Sequence, residues 1–256
     1  MSKNINNVCL VPSNLLLPEI IYKYREVNDR LLSSLEKNEI WFAELQSFND
    51  PFEPARIFSG TPYGNTLKND IDESGILCLC KNNLNLPMWS YYGNGLRGIA
   101  IGYNTEEFLR TLEPVKPHKN EHNPRWRYVF DMKYDDSELG QIQEMNLLLN
   151  NEMTDLERQK MFATKSNAYS HEDEFRIVIQ PKPIFIDEDP SPLWISGIGL
   201  YKHSQDSIRE IIFGELCSKL DRQRIKQILA NRKINYKEVV RSKNSFTIQF
   251  DVVLGF

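Results

Sequence analysis

The sharpest periodicity in the chain lies where Phe175, Ile177 and Ile179 alternate with Arg176, Val178 and Gln180. A period of two is what a strand requires. Similar apolar runs assign strands to 20–24, 40–43, 75–80, 98–103, 127–134, 194–200, 208–213, 236–240 and 246–253. Pro181 and Pro183 make a kinked edge strand, followed by an acidic loop over 184–192. Helical spacing marks 28–36, capped by Asn28 or Asp29, and 105–111, whose first turn is acidic. A longer helix is predicted over 139–163, where Ile142, Met145, Leu148, Leu149, Met153 and Leu156 recur at the helical period. Pro87 opens a short helix over 87–93, and Ser218-Lys219-Leu220-Asp221 resembles a capping box that starts a helix reaching Asn231. Strands and helices follow no regular βαβ alternation. The fold class expected is therefore α+β, one domain over 1–256 with its core at about 20–253, mixed or antiparallel central sheets and flanking helices. The Gly-, Asn- and Asp-rich stretch at about 56–74 is expected to be a mobile surface insertion.

Composition narrows the function classes. A net charge of −4 gives no global attraction to nucleic acid or to an anionic membrane. The polar start at 1–7 lacks the apolar core of a signal peptide, and no apolar run approaches the roughly 18–20 residues that span a bilayer. A cytoplasmic protein without membrane contact is expected. Cys9, Cys78, Cys80 and Cys217 lack zinc-site spacing; Cys78 and Cys80 share one face of a strand and read as core thiols. His118 and His122 are four apart, but Pro117 and Pro124 oppose the helix that would bring them together. No metal site is expected.

Candidate chemistry gathers at the mouth of the strand with the sharpest periodicity, in His171-Glu172-Asp173-Glu174. In an extended chain, Glu172, Glu174 and Arg176 point to one side. Two carboxylates and a guanidinium there can orient a sugar hydroxyl or stabilise a cationic transition state. The structural alternative is a solvated edge with a Glu–Arg pair. Phe48 and Phe52 bracket Asn49-Asp50-Pro51, which reads either as an aromatic-pinned loop turning Asn49 and Asp50 to a cleft or as a plain turn closed by Asp50. Trp89 and Tyr92, three apart on the short helix, offer a stacking wall for a planar ligand, or core packing. A basic, aromatic patch from Lys116 to Tyr128 suits single-stranded nucleic acid, against intervening Glu121 and nearby Asp131. Phosphate-binding Gly-rich loops, dinucleotide fingerprints, nucleophile elbows and the His-Glu-x-x-His motif are absent from the sequence.

Five blocks in order carry a resemblance: Ile21-Tyr22-Lys23-Tyr24-Arg25; Phe48 through Glu53; Pro87 through Tyr92 with Gly98 through Gly102; Lys165 through Arg176; and Ile208 through Gly214. Together they resemble the bacterial family called domain of unknown function 2971, from about residue 20 to 250, with Tyr169 where that family often has Trp. More distantly the blocks look like the ADP-ribosyltransferase superfamily. That resemblance implies NAD as substrate. Glu174 would be the catalytic carboxylate, with Glu172 beside it. Lys23 would stand where an NAD-holding His or Arg is expected, flanked by Tyr24 and Arg25. Trp89 or Tyr92 would lie against the nicotinamide, Asn49 and Asp50 would line the cleft, and Arg176 or Arg25 would hold the pyrophosphate. It further implies a transferase or NADase acting as a toxin or phage-defence effector, on a protein, nucleic-acid or other acceptor. The alternatives are a non-catalytic binding protein of a bacterial defence system and a nucleic-acid processing enzyme. Neither the acceptor nor the oligomeric state follows from the sequence.

Overall fold

The computed structural model describes residues 3–5, 9–11, 15–53, 69–117, 127–137, 155–184 and 193–251. Its frame is a mixed sheet of ten strands flanked by helices, an α+β architecture. In chain order the strands are β1 (Lys3–Ile5), β2 (Cys9–Val11), β3 (Ile20–Arg25), β4 (Gly75–Cys80), β5 (Ile99–Asn104), β6 (Arg127–Asp131), β7 (Glu174–Ile179), β8 (Ile208–Gly214), β9 (Asn235–Arg241) and β10 (Ile248–Phe250). Across the sheet they lie in the order β1-β2-β6-β7-β4-β3-β5-β8-β9-β10. β2 with β6 and β8 with β9 are parallel, and the other neighbours are antiparallel.

Alternation sorts the side chains to two faces. Ile21, Leu77, Leu79, Ile101, Phe175 and Ile177 share one core with Leu31 and Leu35 of helix α1 (Asp29–Lys37). The opposite face carries Tyr22, Tyr24, Cys80 and Ala100 against Trp89 of α2 (Leu86–Tyr91), and Ile76, Val178 and Phe130 in a separate cluster. Further helices among the described residues are α3 (Thr105–Thr111), α4 (Asp155–Phe162) and α5 (Lys219–Ile228). The expected caps form where donors would otherwise be orphaned. Asn28 Oδ1 accepts from Leu31 N at 2.9 Å, and Asn38 closes α1 in the left-handed region at φ 56°. Ser218 Oγ accepts from Asp221 N at 3.0 Å and donates to the Asp221 carboxylate at 2.7 Å.

Several predicted boundaries move. The strand at 194–200 is two short strands, Leu193–Ile195 and Gly199–Lys202, with Gly197 between them. There the backbone passes so close to β7 that a Cβ on Gly197 would lie 1.8 Å from the Ile179 carbonyl oxygen. The strand at 127–134 breaks after Asp131, and Lys133–Tyr134 pairs in parallel with Thr164–Lys165. Of the predicted helix 139–163, residues 155–162 are helical as α4 and 139–154 lie outside the described residues. The end of the expected mobile insertion is helical at 69–72 and buries Ile71, while 56–68 lie outside the described residues. So do the loop at 185–192 and His118 and His122.

The sheet is unevenly joined. All six residues of β3 pair with β5, and all six of β4 pair with β7. Between β3 and β4, however, one pair holds, Tyr22 with Cys80. The ladder opens beyond it, and Lys23 spans the gap by donating from Nζ to the Cys78 carbonyl at 2.6 Å. No helix among the described residues is long and apolar enough to cross a membrane.

Candidate functional site

The split between β3 and β4 positions the site, and β7 supplies its charge. β7 is an interior strand with β6 on one side and β4 on the other, and all of its residues are buried. The solvated edge considered for this segment is therefore replaced by a buried interior strand. Glu174 and Arg176, two apart, share a face. Arg176 Nε donates to Glu174 Oε1 at 2.6 Å and Nη2 to Oε2 at 3.2 Å. Nη2 also donates to Glu53 Oε1 at 2.9 Å, and Nη1 to the Phe162 carbonyl at 2.7 Å. Phe48 lies over the guanidinium with its centroid 5.0 Å away.

Glu172 arrives by a different route from the one parity suggests. It ends a 3₁₀ turn over Asn167–Glu172, and Asp173 bends the chain at φ 44° before β7 begins. The two glutamates are thus not successive residues of one strand face, yet both turn toward Lys165. Lys165 Nζ lies 2.7 Å from Glu172 Oε2, 3.4 Å from Glu53 Oε1 and 3.7 Å from Glu174 Oε2. Tyr92 OH donates to Glu172 Oε1 at 2.7 Å and accepts from Asn49 Nδ2 at 2.8 Å. Tyr134 OH accepts from Glu174 N at 2.9 Å.

These contacts decide the charges. Burial works to raise the Glu174 carboxyl, but the Arg176 and Lys165 charges and the Arg176 hydrogen bonds outweigh it and hold it below the usual carboxylate range. Burial opposes the Lys165 ammonium too, and Glu174, Glu53 and Glu172 together raise it above its ordinary value. Lys23 is the contrast. Burial dominates there, and its pKa is lowered. Burial first, and then Glu172, raise the Tyr92 hydroxyl, so it stays a donor.

A cavity of about 290 Å³ opens in the split, and Lys23, Tyr24, Asn49, Tyr92, Glu172 and Glu174 all line it. Arg176 lines it as well. On the far side of the split lies a cleft of about 630 Å³. Lys23, Ala43, Phe48 and Cys78 line both, so the two spaces adjoin. Besides Lys23, the cleft carries three cations, Arg25, Arg30 and Lys37, against the single carboxylate of Glu39. Among the described residues the side chains of Arg25, Arg30 and Lys37 make no hydrogen bond or ion pair. His203 also lines the cleft, neutral because burial lowers its pKa to about 4.

Three proposed site residues lie elsewhere. Trp89 is fully buried, its indole N–H on the Asn83 carbonyl at 3.0 Å and its ring edge-on to Tyr24 at 5.2 Å. It stands in the core behind the cavity wall, because Tyr92 lies past the last turn of α2 and leaves its face. Asp50 closes its own turn, with Oδ1 accepting from Phe52 N at 2.9 Å. Arg25 belongs to the larger cleft. Within the basic patch, Arg127 turns inward to the carbonyls of Leu109 and Leu112, and Tyr128 packs on the Phe130 cluster. Lys119, Arg125 and Trp126 lie outside the described residues. Two central residues had no role assigned in the sequence, Glu53 and Lys165. The available signal was a charged residue at one end of each of two blocks, Glu53 closing Phe48 through Glu53 and Lys165 opening Lys165 through Arg176. Among the described residues, no group of three or more His, Cys, Asp and Glu could hold a metal ion.

No curated protein and no solved structure matches the chain. Residues 88–177 match a family model; that span runs from α2 to β7 and holds Tyr92, Lys165, Glu172, Glu174 and Arg176, with Lys23 and Glu53 outside it. This is narrower than the span of the sequence resemblance. Over residues 88–177, about a third of its length, the chain is similar to the family described as Protein of unknown function (DUF2971).

Proposed function

We propose that this protein consumes NAD, breaking the bond between nicotinamide and ribose in the manner of an ADP-ribosyltransferase or NADase. The observation that carries the reading is the split between β3 and β4, where Glu172, Glu174, Tyr92 and Lys23 line one cavity beside a cationic cleft. The smaller space suits a heterocycle with its sugar, and the larger one suits a diphosphate. Both fall in or near the range of about 300–1,000 Å³ typical of ligand sites.

Loss of nicotinamide builds positive charge on the ribose carbon. A carboxylate held in place beforehand stabilises that charge without reorganisation. Glu174 is held by Arg176 and Glu172 by Lys165 and Tyr92, so neither swings freely. A carboxylate oxygen can accept more than one hydrogen bond, so Glu172, whose oxygens each hold one side-chain donor, can also take a ribose hydroxyl. The local sum of three glutamates against Lys165 and Arg176 is negative, the sign an oxocarbenium requires. An enzyme of this kind suits a toxin or phage-defence effector. The acceptor is a protein, a nucleic acid or water.

A second reading, a non-catalytic binding protein of a defence system, has one observation in its favour: both oxygens of Glu174 already contact Arg176. Nicotinamide release from NAD by the purified protein separates the two. Release by the wild type, with loss in Glu174→Gln and in Tyr92→Phe/Glu172→Gln, is expected. No release by folded wild type would sink the enzymatic reading and leave the binding protein.

A further inference from the structure

We propose that Lys23 is a carbonyl-reactive amine that forms a Schiff base with a phosphate-bearing aldehyde, the open-chain form of a sugar phosphate included. The proposal does not depend on NAD chemistry.

Its first support is position. Lys23 lines the 290 Å³ cavity, the 630 Å³ cleft and a third depression of about 320 Å³ shared with Tyr24, Arg25, Tyr91 and Tyr92. Of the residues lining these spaces, Lys23 alone is common to all three. Its second support is the contrast with Lys165. Lys165 has three carboxylates within 3.7 Å and is locked as an ammonium. Among the described residues Lys23 contacts no carboxylate; its Nζ touches the Cys78 carbonyl. Facing it are Arg25 on its own strand, a like charge, and the Cys78 thiol on β4, kept protonated by burial. Glu174 on β7 and Glu172 in the turn before it act on Lys23 from further away, and both are already matched by Arg176 and Lys165. Burial outweighs them. A desolvated lysine beside another cation is the setting in which amines become nucleophiles.

Its third support is an anchor for the phosphate. Arg25, Arg30 and Lys37 face the adjoining cleft without partners among the described residues. An anion held there leaves its reactive end at Lys23. In the step itself, the Nζ lone pair attacks the carbonyl carbon while the π electrons move to oxygen. A proton passes from nitrogen to oxygen to give a carbinolamine. Loss of water then leaves the C=N bond, so amine and aldehyde give imine and water.

The test exposes the native protein to pyridoxal 5′-phosphate, reduces with borohydride and maps the adducts, with unphosphorylated pyridoxal in parallel. The expected result is a dominant adduct at Lys23, with Lys165 unmodified. Labelling should persist at pH values where ordinary lysines are protonated and quiet. Pyridoxal should label about tenfold less, the worth of one charge-assisted contact. Arg25→Gln/Arg30→Gln should erase that preference, and Lys23→Arg should abolish the adduct. Adducts spread over exposed lysines such as Lys37 and Lys202, with Lys23 unmodified, would overturn the proposal. The wild-type map decides this alone, so misfolding of a variant does not blur the answer.

Discussion

The two sides of the split between β3 and β4 treat charge in opposite ways. On one side, Glu53, Glu172, Glu174, Lys165 and Arg176 are buried and engaged with one another. On the other, Arg25, Arg30 and Lys37 face a cleft with no partner among the described residues. Buried charges must be paired or they destabilise the fold, so the first group is committed before any ligand arrives. Hydrated cations need no partner, and they remain available to an anion. The first side holds shape and aims its carboxylates; the second recruits. Lys23 stands between them and belongs fully to neither.

That contrast is easiest to break at Arg176. Arg176→Met strips Glu174 and Glu53 of their guanidinium inside the protein and should cost about 3–5 kcal/mol in a denaturant melt. Pairing it with Glu174→Leu should recover much of that loss; a double variant as unstable as the single would mean packing, not charge, dominates. Next in size is pH. His203 has its pKa lowered from 6.5 to about 4. The unfolded chain takes up the proton first, so this contribution is complete above pH 6.5 and fades as pH falls toward 4. It amounts to roughly 3 kcal/mol at most. His203→Gln should flatten the melting temperature across that window relative to wild type. Smaller again is Tyr92→Phe, which deletes the hydroxyl between Glu172 and Asn49 and should cost about 1 kcal/mol by chemical denaturation. Smallest is Arg25→Gln/Arg30→Gln on the recruiting side, where the change should stay within about 0.5 kcal/mol. A large loss there would show that those arginines hold the fold and are not waiting for a ligand.

Sequence periodicity reveals one side of this contrast better than the other. The alternation of Phe175, Ile177 and Ile179 is local, and it places Glu174 and Arg176 together because residues two apart in a strand must share a face. Helix caps such as Asn28 are equally local. Sheet order is not, since nothing in Tyr22 or Cys80 announces that they will be the one rung between β3 and β4. The split, and therefore the cavity, depends on pairings more than fifty residues apart. Glu172 eluded the parity argument because a left-handed bend at Asp173 interrupts the strand. Trp89 and Tyr92 parted company because α2 ends at Tyr91. Glu53 meets Arg176 across 123 residues, a contact that no spacing rule contains.

The most direct measurement is a calorimetric titration of NAD into the wild type and into Arg25→Gln/Arg30→Gln. The account predicts saturable binding by the wild type and binding at least about tenfold weaker by the variant, at unchanged melting temperature. No binding by the folded wild type, or equal binding by both proteins, would contradict it.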